Sequence, residues 1–191
     1  TQLETDRRLI NHRIKTLRER LLDVQKGRAI QRQSRQNEFK ASLVGYTNAG
    51  KSTLFNAFSG AGVLAKDMLF ATLDPTLRRV EFAEGGAFLL SDTVGFISDL
   101  PTQLIAAFRA TLEEVREADL LIHVRNMAHP DREAQREDVE DVLMSLGLGE
   151  EGAPARIEAW NKVDLLSAEE RGRLDEEARR REDVVPISAV T

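Results

Sequence analysis

The chain has 191 residues, no cysteine and a formal net charge of −5. That length holds one full-sized domain with its own core plus a small appendage, and the lack of cysteine excludes disulfides and thiolate metal sites. No apolar run approaches the ~18 residues of a membrane span, and Thr1-Gln2-Leu3-Glu4 has neither the charge pattern nor the apolar stretch of a signal peptide. The expectation is a cytoplasmic protein, and the missing initiator methionine reads as a piece of a longer one. The charge is uneven: residues 1–40 hold 11 Lys and Arg against 5 Asp and Glu, and the remainder 16 against 27. A basic appendage on an acidic body points to a nucleic-acid or ribonucleoprotein contact, with a solvated charged helix as the alternative.

In chain order, Leu3, Ile10, Ile14, Leu17, Leu21 and Val24 recur at spacings of 7, 4, 3, 4 and 3. This is the a/d register of a coiled coil and predicts a long helix over residues 3–24, with no identifiable partner in the chain. Residues 25–37 contain no acidic residue and read as a basic continuation or linker. The domain boundary falls there, with an arm at 1–37 and a globular domain at 38–191. Apolar runs then predict strands at 41–44, 77–82, 87–90, 120–124, 156–160 and 184–187. Helices are predicted at 51–58, 102–117, 132–146 and 168–181, the last opened by the capping box Ser167-x-x-Glu170. The alternation is that of an α/β fold, a mostly parallel six-stranded sheet with helices on both faces. A closing helix after the last strand is expected and missing from the sequence.

Between the first strand and helix stands Gly45-Tyr46-Thr47-Asn48-Ala49-Gly50-Lys51-Ser52, followed by Thr53, which fits G-x-x-x-x-G-K-[ST] in the context its chemistry needs. The glycines let backbone N–H groups wrap phosphates, and the helix N-terminus adds partial positive charge. Lys51 would bridge the β- and γ-phosphates, and the Ser52 hydroxyl would ligate Mg²⁺. The third apolar run ends in Asp92-Thr93-Val94-Gly95, at the strand end where ligands of open α/β sheets bind. Asp92 would hold Mg²⁺ through a water, and Gly95 would offer its N–H to the γ-phosphate and move when that phosphate leaves. By itself an Asp-x-x-Gly is commonly just a turn.

Asn161-Lys162-Val163-Asp164 follows the fifth strand. A carboxylate there can accept both N–H groups of the guanine Watson–Crick edge, whereas adenine would leave it unpaired, a discrimination on the order of 10⁴ or more. Alone it would read as a polar loop. Ser188-Ala189-Val190 after the last run supplies a backbone N–H for the guanine O6. His123 in an apolar strand and Trp160 read as packing, and the Glu/Arg-rich residues 169–183 as a solvated helix face.

These elements in this order resemble the Ras-like P-loop GTPases. Thr1-Gln2-Leu3-Glu4-Thr5-Asp6-Arg7-Arg8, Gly45 through Asn56, Phe70-Ala71-Thr72-Leu73-Asp74-Pro75-Thr76 and Asp92-Thr93-Val94-Gly95-Phe96 resemble the HflX family of translation-factor-related GTPases. The resemblance covers nearly the whole chain. It implies a two-helix arm before the GTPase domain, with the helix over 3–24 as the second arm, and binding of GTP and GDP. It also implies a monomer that associates with the large ribosomal subunit and its rRNA, can split ribosomes, and engages neither DNA nor membrane. It assigns Phe70, Ala71, Thr72, Leu73 and Asp74 to the first switch, with Thr72 a second Mg²⁺ ligand; the residues alone do not choose Thr72 over Thr76. Lys51, Thr72 and Gly95 thus carry the expected catalytic roles. Asn48 resembles the phosphate-loop asparagine of potassium-activated GTPases, which makes K⁺ a candidate cofactor. The chain departs from the family pattern at Val124-Arg125-Asn126-Met127, where an acidic residue followed by small ones is usual. Phe96 stands where many Ras-like enzymes carry a water-orienting glutamine, which predicts slow unaided hydrolysis. A nucleotide-dependent RNA- or protein-binding module with incidental hydrolysis is the alternative function.

Overall fold

The structure is a computed structural model and describes residues 38–60, 76–82, 85–96, 109–149 and 153–190. The expected arm, the basic linker and residues 102–108 of the second predicted helix lie outside the described residues.

Six strands form one sheet: β1 (Lys40–Val44), β2 (Thr76–Glu81), β3 (Ala87–Asp92), β4 (Leu120–Asn126), β5 (Ala155–Asn161) and β6 (Val184–Pro186). Their order is β2-β3-β1-β4-β5-β6. All neighbours are parallel except β2 and β3, which form an antiparallel pair. The central strands read as apolar runs because a parallel sheet is covered on both faces.

Helix α1 (Lys51–Ser59) follows β1, α2 (Arg109–Arg116) precedes β4, α3 (Arg132–Ser145) precedes β5 and α4 (Ala168–Ala178) precedes β6. Alternation along the strands divides the core. Ala41, Leu43, Leu90, Ile122, Val124 and Ala159 pack with Leu54 and Phe55 of α1 on one face. Val44 and Leu121 pack with Leu112 and Val115 of α2 and Val139 and Leu143 of α3 on the other. There too Trp160 meets Leu174 and Ala178 of α4. Burying such side chains is worth ~1.5–3 kcal/mol apiece, which fixes the register of each strand.

The expected capping box of α4 is present: Ser167 Oγ accepts the Glu170 N–H and the Glu170 carboxylate accepts the Ser167 N–H. The helix ends at Ala178, three residues before the predicted end. Among the described residues no helix is long and apolar enough to cross a membrane.

Candidate nucleotide site

Every strand of a parallel sheet ends on the same edge as its neighbours, so the loops after β1, β3, β5 and β6 converge there. The loop 45–50 leaves β1 and enters α1 through Gly50, whose φ of 100° lies in the left-handed region. A Cβ at Gly50 would stand 2.2 Å from Asn161 Nδ2, so both backbone angle and space require glycine. The loop curls around its own lysine: Lys51 Nζ donates to the carbonyls of Gly45 at 3.1 Å and Tyr46 at 2.9 Å. Burial pushes the Lys51 ammonium down to about 8, while the nearby Asp92 carboxylate pulls it back up.

Asp92 is the last residue of β3 and fully buried, and the Ser52 hydroxyl donates to its Oδ2 at 2.6 Å. A hydroxyl and a carboxylate side by side beside a phosphate loop are hard oxygen donors of the kind Mg²⁺ takes, its other positions being filled by phosphates and water. The donor set therefore fits the ion. Beyond β3 the chain runs alongside the phosphate loop: Phe96 N–H donates to Gly45 O at 3.1 Å and Thr47 N–H to Phe96 O at 2.7 Å. Gly95 lies so close that a Cβ would meet Thr47 Cα at 2.7 Å and Lys51 Nζ at 3.1 Å. The Phe96 side chain is buried in the core shared with α2 and α3.

Asn161 ties three loops together. Its Nδ2 donates to the carbonyl of Ala49 at 2.9 Å and its Oδ1 accepts the Ala189 N–H at 3.0 Å. Of the segment Ser188-Ala189-Val190, expected to supply an N–H for a guanine O6, the Ala189 N–H is thus engaged by Asn161 in this conformation. Lys162 takes φ 64° and leads into a 3₁₀ turn, Val163–Leu165, in which Val163 is buried and Asp164 exposed. Asp164 is therefore open to a ligand. Ser188 and Val190 flank Ala189, while Phe70, Ala71, Thr72, Leu73 and Asp74 lie outside the described residues.

At the departure after β4, Asn126 Oδ1 accepts the Ala128 N–H at 3.1 Å, an Asx turn that does with an amide oxygen what an acidic side chain would do there. Arg125 beside it is buried against Glu158. His123 is buried and, through desolvation above all, pushed down to about 3, so it stays neutral and serves as packing.

The sequence model of the 50S ribosome-binding GTPases matches residues 40–162. A GTPase HflX of Magnetococcus marinus is 53% identical over 100% of this chain and 43% of that protein. That of Escherichia coli is 48% identical over 100% of the chain and 44% of that protein. The chain belongs to the 50S ribosome-binding GTPases, on their HflX branch. It spans about two-fifths of the length of these curated relatives. Among solved structures, a GTP-binding protein of Sulfolobus solfataricus in complex with GDP superposes with a TM-score of 0.57 at 27% identity. The match covers 93% of this chain and 54% of that one. Aquifex aeolicus Era bound to GDP and aluminium fluoride shares the fold, with a TM-score of 0.58 at 20% identity over 79% of this chain and 51% of that one. The fold expected from the sequence, a P-loop GTPase domain on a mostly parallel six-stranded sheet, is the one present.

Proposed function

We propose that this GTPase domain is the switch of a cytoplasmic factor that acts on the large ribosomal subunit, and that it turns over slowly until that subunit orders its switches. The observation that carries this reading is the placement of Phe96. Its side chain is turned into the core and has no group to orient a water, while its backbone clasps the phosphate loop. Charge neutralisation and in-line geometry beyond Lys51 then have to come from outside, and externally supplied groups accelerate such reactions by roughly 10³–10⁵.

In this reading Lys51 and the amides of the loop from Gly45 through Ser52 and Thr53 hold the phosphates. Ser52, Asp92 and Thr72 hold Mg²⁺, which when bound neutralises phosphate charge. Asp164 selects guanine. Because Phe96 O occupies the Thr47 amide, a γ-phosphate that takes this amide displaces the segment 94–96, and that displacement is the switch. The basic arm over residues 1–37, with Arg28, Arg32 and Arg35, adds a salt-dependent rRNA contact. K⁺ near Asn48 is a second source of charge; Asn48 holds the left-handed backbone at φ 56°.

Nucleotide titrations and single-turnover assays test the reading. GTP and GDP bind and ATP does not, and Asp164→Asn moves preference toward xanthine nucleotides. Hydrolysis without ribosomes is slow in sodium, and any gain in potassium is lost in Asn48→Ala. Equal binding of ATP and GTP, or fast unaided hydrolysis in sodium, overturns it.

A further inference from the structure

The two edges of the sheet are built differently. β6 is three residues long and ends in Pro186, and both features keep a further strand from pairing there. β2 has neither protection. It runs over six residues without proline or glycine, and its register on β3 is unbroken from Thr76 opposite Asp92 to Glu81 opposite Ala87, so no bulge turns the edge away. Among the described residues it pairs with β3 alone.

The Phe82 N–H donates to the Gly86 carbonyl across this pair at 3.0 Å. Antiparallel alternation then turns the N–H and C=O of Val80 and Arg78 toward β3, and those of Leu77, Arg79 and Glu81 outward. Side chains alternate as well. Val80 packs in the core under α1, so Arg78 and Phe82 share that face and Arg79 and Glu81 take the other. Arg78, Arg79 and Glu81 are exposed, and Phe82 is 57% exposed. Neither Arg79 nor Glu81 makes an ion pair among the described residues.

We propose that β2 pairs with β2 of a second copy, antiparallel about a twofold axis at Val80. Such an axis stands perpendicular to the sheet and keeps each face on its own side, so the pairing is centred on a residue. Centring on Arg79 sets that arginine against its own copy. Centring on Val80 sets Arg79 against Glu81 twice and Arg78 against Phe82 twice. Opposite charges directly across two strands stabilise by ~0.2–1 kcal/mol and like charges destabilise, while a guanidinium on a phenyl ring adds a cation–π contact. Arg79 and Glu81 also carry the outward N–H and C=O groups, which exchange hydrogen bonds in this register. Charges of one sign would keep two such edges apart; opposite signs two residues apart make this edge its own complement. A strand of this length buries less than the ~800 Å² per partner of a stable complex, so the dimer is weak, with a Kd on the order of 10–100 µM.

The test is sedimentation velocity on the full-length protein saturated with GDP, from about 1 to about 300 µM, a span that brackets this affinity. A reversible monomer–dimer equilibrium is expected. Arg79→Glu alone and Glu81→Arg alone each place like charges at both contacts and weaken it by about fivefold or more. Mixed one to one, the two variants associate to within about threefold of the native affinity, because each contact again joins an arginine to a carboxylate. Both substitutions fall on exposed side chains, and unchanged GDP affinity shows the variants folded. A monomer at every concentration, which the family resemblance implies, overturns the proposal and leaves the edge to a strand of a different protein. Dimerisation that neither substitution weakens, or a mixture that associates no more tightly than either variant alone, overturns it too.

Discussion

Replacing Asn161 by alanine removes a side chain that joins the phosphate loop, the base loop and the last loop. Asn161 is 2% exposed, and its amide makes both hydrogen bonds to backbone, at 2.9 Å to Ala49 and 3.0 Å to Ala189. Alanine leaves a buried carbonyl and a part-buried N–H unmet. An orphaned buried group costs ~1–3 kcal/mol; water reaches Ala189 more readily than Ala49, so the two together cost ~2–4 kcal/mol. For a domain of this size that is a fall in Tm of roughly 5–15 °C. Some of the loss also appears in GDP affinity, because the loops that would hold the nucleotide are no longer held to each other; about 1.4 kcal/mol of it is a tenfold weakening. Differential scanning fluorimetry without nucleotide and competition against a fluorescent GDP measure the two parts. Asn161→Asp keeps the acceptor toward Ala189 but sets a buried carboxylate oxygen against the Ala49 carbonyl, so it loses at least as much as alanine. A Tm unchanged to within about 2 °C together with GDP affinity unchanged to within about twofold refutes the idea that Asn161 is the clasp.

Because burial brings Lys51 down to about 8 from 10.5, its charge fades above pH 8 in the nucleotide-free chain. The unfolded chain keeps that proton to higher pH, so Lys51 makes folding more favourable as pH rises from 8 to 10.5. GDP affinity, which uses the charged amine, falls by up to about tenfold per pH unit over that range, and titrations with Lys51→Ala lack this slope. Phe96→Ala opens a hole in the core and lowers stability by ~3–5 kcal/mol in urea unfolding. Single-turnover hydrolysis by the folded fraction changes little, since the ring orients no water. Glu158→Gln weakens the hydrogen bonds from Arg125, Arg181 and Trp160, while Arg125 keeps Glu133 and Arg181 keeps Asp183, and it costs ~1–3 kcal/mol by the same method. Burial alone would raise the Glu158 carboxyl, but hydrogen bonds from Trp160 and Arg125 hold it down to about 2. Its contribution is therefore whole above pH 4.5 and lost as pH falls toward 2, a loss that Glu158→Gln does not show.

The strands were legible because a two-faced parallel sheet writes itself as apolar runs, and the phosphate loop because its glycines and lysine are contiguous. β3 runs on to Asp92, past the apolar residues 87–90 that announced it. Ser91 and Asp92 are polar yet buried: Ser91 pairs with Ser42 at 2.7 Å, and Asp92 meets Ser52. Hydropathy is blind to such pairs. The Asn161 clasp joins residues 112 positions apart, and the local pattern marks Asn161 only as part of a loop. The ion pairs of Glu158 were illegible for the same reason. Arg125, Glu158 and Arg181 come from separate segments, and residues 169–183 read as a solvated face although Arg181 reaches Glu158 beside a buried indole.

In the function proposed above, the site is incomplete without the large ribosomal subunit. The most direct test is single-turnover GTP hydrolysis by the full-length protein in sodium buffer, with and without purified large subunits. A slow basal rate and a rise of at least about tenfold are expected, against the roughly 10³–10⁵ that fully engaged external catalytic groups supply. A basal rate already fast, or one that saturating subunits leave unchanged, contradicts the proposed function.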